Sequence, residues 1–125
     1  MQGIVMGRNR IAIIDNDPAV LDSLGTLVDV HGLVPRTFTS AAEFLTATHL
    51  CPYACMVVDI FLPYMNGIDF VRHLRDCGTN IPTIFITGNP ADDIELQARR
   101  VGGLAFMAKP FDPMSLMQLI QQSAP

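Results

Sequence analysis

Tryptophan is absent and aromatic residues make up only 7% of the chain, so the core has to be built mainly from aliphatic side chains. Basic residues are also scarce. Eight Lys and Arg stand against twelve Asp and Glu, giving a net charge of -4 and a pI of about 5.1. That balance argues against direct nucleic-acid or anionic-membrane binding by this chain, because both require a basic surface. No apolar run reaches membrane-spanning length. Residues 1–9 have no apolar centre of signal-peptide length, and the expected location is cytoplasmic. The three cysteines, Cys51, Cys55 and Cys77, are odd in number and show no metal-ligand spacing. They read as buried thiols in a reducing compartment. His31, His49 and His73 fall in different segments and suggest no ligand set.

What the chain does have is 50% hydrophobic residues in 125 positions, which suits a single folded domain with a substantial core. Residues 1–9 are expected to form a flexible leader, 10–123 the domain, and 124–125 the start of a linker or tail. Strands are expected at 10–14, 33–38, 55–58, 81–87 and 104–107, alternating with five helices. Pro35 weakens the ladder of the second strand and suggests an edge position. Asp17-Pro18 reads as a helix cap and first turn, and Ser40-Ala41-Ala42-Glu43 reads as a capping box. Gly32 is a helix stop. Glu95 and Arg99 are spaced to pair along the fourth helix. Asp112-Pro113 opens the last helix, where Met107, Met114 and Met117 are expected to fill the core. Alternating strands and helices imply an α/β fold: a five-stranded parallel sheet flanked by five helices.

The chain is organised around Val57-Val58-Asp59-Ile60-Phe61-Leu62-Pro63-Tyr64-Met65-Asn66-Gly67. An apolar strand ends there on a carboxylate, at the edge where open parallel sheets place their ligands. Asp15, Asn16 and Asp17 follow the first strand, Thr87 ends the fourth, and Lys109 follows the fifth. Each has an ordinary reading as a cap, a strand-end hydroxyl or a solvated loop lysine. Together they place carboxylates, a hydroxyl and an ammonium on one rim. Clustered carboxylates favour a hard cation such as Mg²⁺. A cation, a lysine and a hydroxyl around one carboxylate offer the positioning and neutralisation that phosphoryl transfer needs.

Ile14-Asp15-Asn16-Asp17, Val58-Asp59 with Pro63 and Gly67, Thr87-Gly88, and Lys109-Pro110-Phe111 resemble the receiver domain of two-component response regulators over about residues 8–123. Ile86-Thr87-Gly88 and the Lys109-Pro110-Phe111 ending look most like the FixJ-type branch. The resemblance implies the flavodoxin-like (βα)5 receiver fold and a regulatory phosphoacceptor, not an enzyme acting on other substrates. Asp59 would accept a phosphoryl group from a sensor histidine kinase. Asp15, Asn16, Asp59 and the backbone carbonyl of Phe61 would hold Mg²⁺. Lys109 would pair with Asp59 and then with the phosphoryl group. Thr87 and Phe106 would be the switch pair. Phe61 and Asn89 would occupy the positions that tune loss of the phosphoryl group. Pairing of two copies through helix 4, strand 5 and helix 5 is implied as well, together with a DNA-binding transcription output domain outside this chain.

One departure concerns the metal. The family usually carries two adjacent acids after the first strand, and here the second is Asn16, so a weaker Mg²⁺ site is expected unless Asp17 compensates. Two rivals remain beside the main reading. One is a stand-alone or degenerate receiver acting as a phosphorylation-independent binding module. The other is an aspartyl-nucleophile phosphatase of the haloacid-dehalogenase type, which would place a second Asp where Phe61 stands.

Overall fold

The computed structural model describes residues 9–47 and 52–123. Residues 1–8 of the expected leader, His49, Cys51 and the expected tail at 124–125 lie outside the described residues. The elements are β1 (Arg10–Ile14), α1 (Pro18–Val30), β2 (Val34–Phe38), α2 (Ala41–Ala47), β3 (Cys55–Asp59), α3 (Gly67–Asp76), β4 (Thr83–Thr87), α4 (Asp92–Arg100), β5 (Ala105–Ala108) and α5 (Pro113–Ser123). All five strands are parallel, in the order β2-β1-β3-β4-β5. The expected α/β architecture is therefore present. Pro35 does lie on an edge strand, where its missing N–H costs only an outer bond.

Strand periodicity explains the two cores. Alternate residues of a strand face opposite sides of a sheet. Ala12, Ile14, Met56, Val58 and Phe85 pack on one side with Phe44 of α2, Phe70, Val71 and Leu74 of α3, and Ala98 of α4. Ile11, Ile13, Val57, Ile84 and Ile86 pack on the other with Leu21, Leu24 and Val28 of α1 and Leu116, Met117 and Ile120 of α5. The central strands read as continuous apolar runs because both faces are covered. Burying each such aliphatic side chain contributes about 1.5–3 kcal/mol.

The helix ends follow their sequence signals. The Asp17 carboxylate accepts the Ala19 N–H at 3.0 Å, with Pro18 in the first turn. Gly32, at φ 82, takes the left-handed conformation past the end of α1. The capping box is shifted. Ser40 Oγ accepts the Glu43 N–H at 3.1 Å, but Glu43 reaches back to the Thr39 N–H at 2.8 Å and not to Ser40. Asn66, unremarked in the sequence, caps α3 by accepting the Asp69 N–H at 2.9 Å.

Several expectations need correction. Strand β5 begins at Ala105 and strand β4 at Thr83, because Leu104 and Ile81 belong to the connections leading into the sheet. Met114 is exposed, on the solvent side of α5, whereas Met117 is fully buried and Met107 is partly buried. Cys55 is buried, and burial pushes its thiol up to about 12. Cys77 is exposed, since it caps the end of α3 beyond the last core position. Asn9, placed in the leader, is tied to the sheet: its carbonyl accepts the Val34 N–H at 2.7 Å. Glu95 and Arg99 pair as expected, at 2.7 Å, though so exposed a bridge contributes little. A longer-range link was not legible in sequence. Arg75 of α3 donates to the Val101 and Gly102 carbonyls at 2.7 and 3.2 Å, closing the end of α4 that precedes β5.

Candidate functional site

Because every strand runs the same way, the carboxyl ends of β1, β3, β4 and β5 share one edge of the sheet. The chain leaves β1 for β2 on one side and enters β3 on the other. That reversal opens a crevice beyond the strand ends. Asp15 follows β1 and is wholly buried, and Asp59 ends β3 with 5% exposure. Lys109, just past β5, reaches between them.

The polar contacts are specific. Lys109 Nζ donates to Asp15 Oδ2 at 2.7 Å and to Asp59 Oδ2 at 3.2 Å. Asp15 Oδ1 accepts the Asp17 N–H at 2.9 Å, and Asp59 Oδ1 accepts the Phe61 N–H at 3.0 Å. The Lys109 backbone N–H donates to the Thr87 carbonyl at 2.7 Å, which anchors the lysine to the end of β4. The Lys109–Pro110 peptide is cis. The Thr87 side chain is buried, and its Oγ1 accepts the Asn89 N–H at 3.1 Å.

The electrostatics are unbalanced. Burial, the largest cause, raises the Asp59 pKa above its ordinary 3.8, and the neighbouring Asp15 charge adds to the rise; the Phe61 N–H and Lys109 only partly oppose it. At Lys109, burial alone would lower the pKa. The Asp15 hydrogen bond and the Asp59 and Asp15 charges outweigh it, so the net shift is upward from 10.5. Two carboxylates therefore share one ammonium in a half-desolvated crevice, which leaves one negative charge for an incoming cation to neutralise.

The donor set fits a hard cation. Among the described residues no group of three His, Cys, Asp or Glu converges as a metal cage. The crevice thus offers two carboxylates, with further ligands to come from neutral oxygens and water. Mg²⁺ accepts that combination, because it retains several waters and takes only one or two carboxylates. Asn16 is exposed beside Asp15. Asp17 is exposed too and is committed to capping α1, which removes it as the compensating acid.

The remaining candidates surround this centre. Phe61 is 46% exposed on the loop after β3, and Asn89 is exposed on the loop after β4. Phe106 is half-buried in β5, in register with Phe85, and packs against the core on the α4 side. Two features were missed in sequence. The shorter lysine contact is to Asp15, although Asp59 was the expected partner. Gly67 also does more than mark a loop: its N–H donates to the Ile60 carbonyl at 2.7 Å, and a Cβ there would press on the Asp59 carbonyl oxygen. The signal available in the sequence was only a Gly directly after Asn66, the residue that caps α3.

A parallel sheet of this order, with its polar side chains gathered at the carboxyl edge beside the strand-order reversal, places the chain among the flavodoxin-like α/β proteins. The crystal structure of FixJ-N matches it with a TM-score of 0.85 and 27% identity, over 99% of this chain and 95% of that one. A CheY-like response regulator receiver domain protein from Methanospirillum hungatei JF-1 matches with a TM-score of 0.86 and 25% identity, over 93% of each chain. The sequence profile of the response regulator receiver domain matches residues 11–121, and the chain belongs to that family. Among curated relatives, the response regulator protein TodT of Pseudomonas putida is 36% identical over 111 residues, 89% of this chain and 49% of TodT. The transcriptional regulatory protein FixJ of Azorhizobium caulinodans is 31% identical over 113 residues, 90% of this chain and 54% of FixJ. The chain spans about half the length of the curated relatives it matches. No helix among the described residues is long and apolar enough to cross a membrane.

Proposed function

We propose that this receiver domain accepts a phosphoryl group on Asp59 from a sensor histidine kinase and uses the new charge to alter its interaction surface. The observation that carries this reading is the Lys109 ammonium held between the Asp15 and Asp59 carboxylates at the edge of the sheet. An Asp59 carboxylate oxygen attacks phosphorus, the P–N bond of the phosphohistidine breaks, the imidazole leaves with its electron pair, and an acyl phosphate forms. Asp15, Asn16, Asp59 and the Phe61 carbonyl would hold Mg²⁺. Bound there, Mg²⁺ supplies charge neutralisation on the phosphoryl oxygens. Lys109 moves its hydrogen bond from Asp59 to the phosphoryl group.

Thr87 then turns its hydroxyl from the Asn89 N–H toward the phosphoryl group, and Phe106, already half-buried, fills the space behind it. A local charge event thereby biases a two-state surface. Leu96 on α4, Leu104 before β5 and Met114 on α5 are exposed apolar residues. They support a role for the α4-β5-α5 face in pairing two copies. The name of FixJ, a transcriptional regulatory protein, and the lengths of TodT and FixJ support a transcription output domain outside residues 1–125 as the element controlled.

The test is intact mass after incubation with acetyl phosphate. One Mg²⁺-dependent phosphoryl adduct is expected, absent in Asp59→Asn. No adduct from either acetyl phosphate or a kinase donor would leave a constitutive binding module instead. Two further outcomes follow from the same site. Asn16→Asp restores a charge beside the metal and should tighten Mg²⁺ binding by about tenfold, the effect of roughly 1.4 kcal/mol. Equal Mg²⁺ titrations of the two proteins would sink the assignment of Asn16 as a ligand. Phe61 has no polar atom on its side chain to orient a water, so Phe61→Asn should shorten the adduct's lifetime. Decay timed by mass checks it, and an unchanged rate removes Phe61 from that role.

A further inference from the structure

The sequence offered no metal spacing among cysteines or among histidines taken separately, but the fold pairs one of each. His73 and Cys77 sit four residues apart at the end of α3, on the same exposed face. The His73 Nε2 and Cys77 Sγ atoms lie 3.9 Å apart. A tetrahedral zinc with a nitrogen at about 2.05 Å and a sulfur at about 2.3 Å holds those two atoms about 3.6 Å apart. The gap of a few tenths of an ångström is within reach of small side-chain rotations, and both side chains are free to make them in solvent.

We infer that His73 and Cys77 form a two-ligand chelate for a borderline-soft divalent cation such as Zn²⁺, separate from the oxygen-lined crevice at Asp59. Imidazole and thiolate suit such ions and not Mg²⁺. The Cys77 proton passes to solvent as the sulfur binds the metal. Among the described residues no third His, Cys, Asp or Glu joins the pair, so water completes the coordination. The neighbouring charges permit a cation. Arg72 is paired with Asp69 at 2.6 Å, and the Arg75 guanidinium is turned away to the Val101 and Gly102 carbonyls. The site also lies at the carboxyl end of α3, where the helix dipole favours positive charge. Bound metal would clip the last turn of α3, the turn that carries Arg75 and its link to the end of α4.

The test uses Co²⁺ as a probe on the full chain carrying Cys51→Ser, which removes the thiol outside the described residues. Cys55 is buried and stays a thiol. A thiolate-to-cobalt charge-transfer band is expected, displaced by Zn²⁺ and unaffected by excess Mg²⁺. It should vanish in Cys77→Ser. His73→Ala should weaken Co²⁺ binding by about 10²-fold, because the second ligand of a chelate binds intramolecularly. Both positions are exposed, so both variants should retain the wild-type circular dichroism. No band, a band that survives Cys77→Ser, or one whose midpoint is unmoved by His73→Ala would overturn the chelate.

Discussion

Asp59→Asn is expected to make the metal-free domain more stable at neutral pH, by about 2 kcal/mol, while ending its capture of phosphoryl groups. The sign follows from the direction of its pKa. Burial and the Asp15 charge raise Asp59 above its ordinary 3.8, so the folded state holds its proton more tightly than the unfolded chain does. Stability therefore falls as pH rises from the ordinary carboxylate value through the raised one, and the cost is complete above it. An amide removes the charge and keeps the shape. It also leaves Lys109 with its shorter contact, 2.7 Å to Asp15. The expected rise in melting temperature is roughly 5–10 °C, seen without Mg²⁺ and shrinking as pH is lowered into the carboxylate range. Added Mg²⁺ should narrow the difference, because it stabilises only the protein that binds it well. An Asn variant that melts at or below the wild type at pH 7 would show that Lys109 fully compensates both carboxylates. Lys109 itself works in the alkaline range. Its raised pKa means that its contribution is complete below 10.5 and is lost as pH climbs through the raised value.

Gly67→Ala is expected to destabilise the domain by about 3 kcal/mol. The added carbon would press on the Asp59 carbonyl oxygen and lie 2.8 Å from Val58 Cγ1 and 3.0 Å from the Ile60 Cα. Two of those three contacts are backbone, which cannot swing aside as a flexible side chain can. Relief has to come from moving α3 away from the end of β3, and the Gly67 N–H bond to the Ile60 carbonyl at 2.7 Å then stretches. Urea unfolding reads the loss as a lower midpoint at an unchanged slope. The same displacement shifts the loop after Asp59, so phosphoryl uptake from acetyl phosphate should slow as well. Gly32→Ala makes the useful control. It carries a different burden, a left-handed φ of 82 with open space around it, and should cost about 1 kcal/mol with no effect on uptake.

Asp17-Pro18 and Gly32 announce a helix start and stop because capping is local chemistry among residues a few positions apart. Asn66 obeys the same rule but lay hidden inside a loop already marked by Pro63 and Gly67. Met114 and Cys77 failed for another reason. Their hydrophobic character suggests burial, yet which side of a helix end faces the sheet depends on the helix's docked rotation, which a few terminal residues do not define. His73 and Cys77 share a face only because α3 continues to its C-cap at Cys77, and a four-residue spacing brings two side chains together only on a helix.

The sequence by itself determined the alternation of strands and helices, the parallel sheet, the edge position of β2 and the gathering of Asp15, Asp59, Thr87 and Lys109 at one rim. All of these follow from periodicity, turn residues and the fact that parallel strands end on the same edge. Tertiary structure alone decided that Lys109 bonds Asp15 more closely than Asp59, that Asp17 is spent on its helix, that Gly67 is packed against the backbone of β3, and that Arg75 fastens the end of α4. Those are contacts between elements far apart in the chain, set to within tenths of an ångström by how the helices dock on the sheet. No local pattern in the residues encodes that distance.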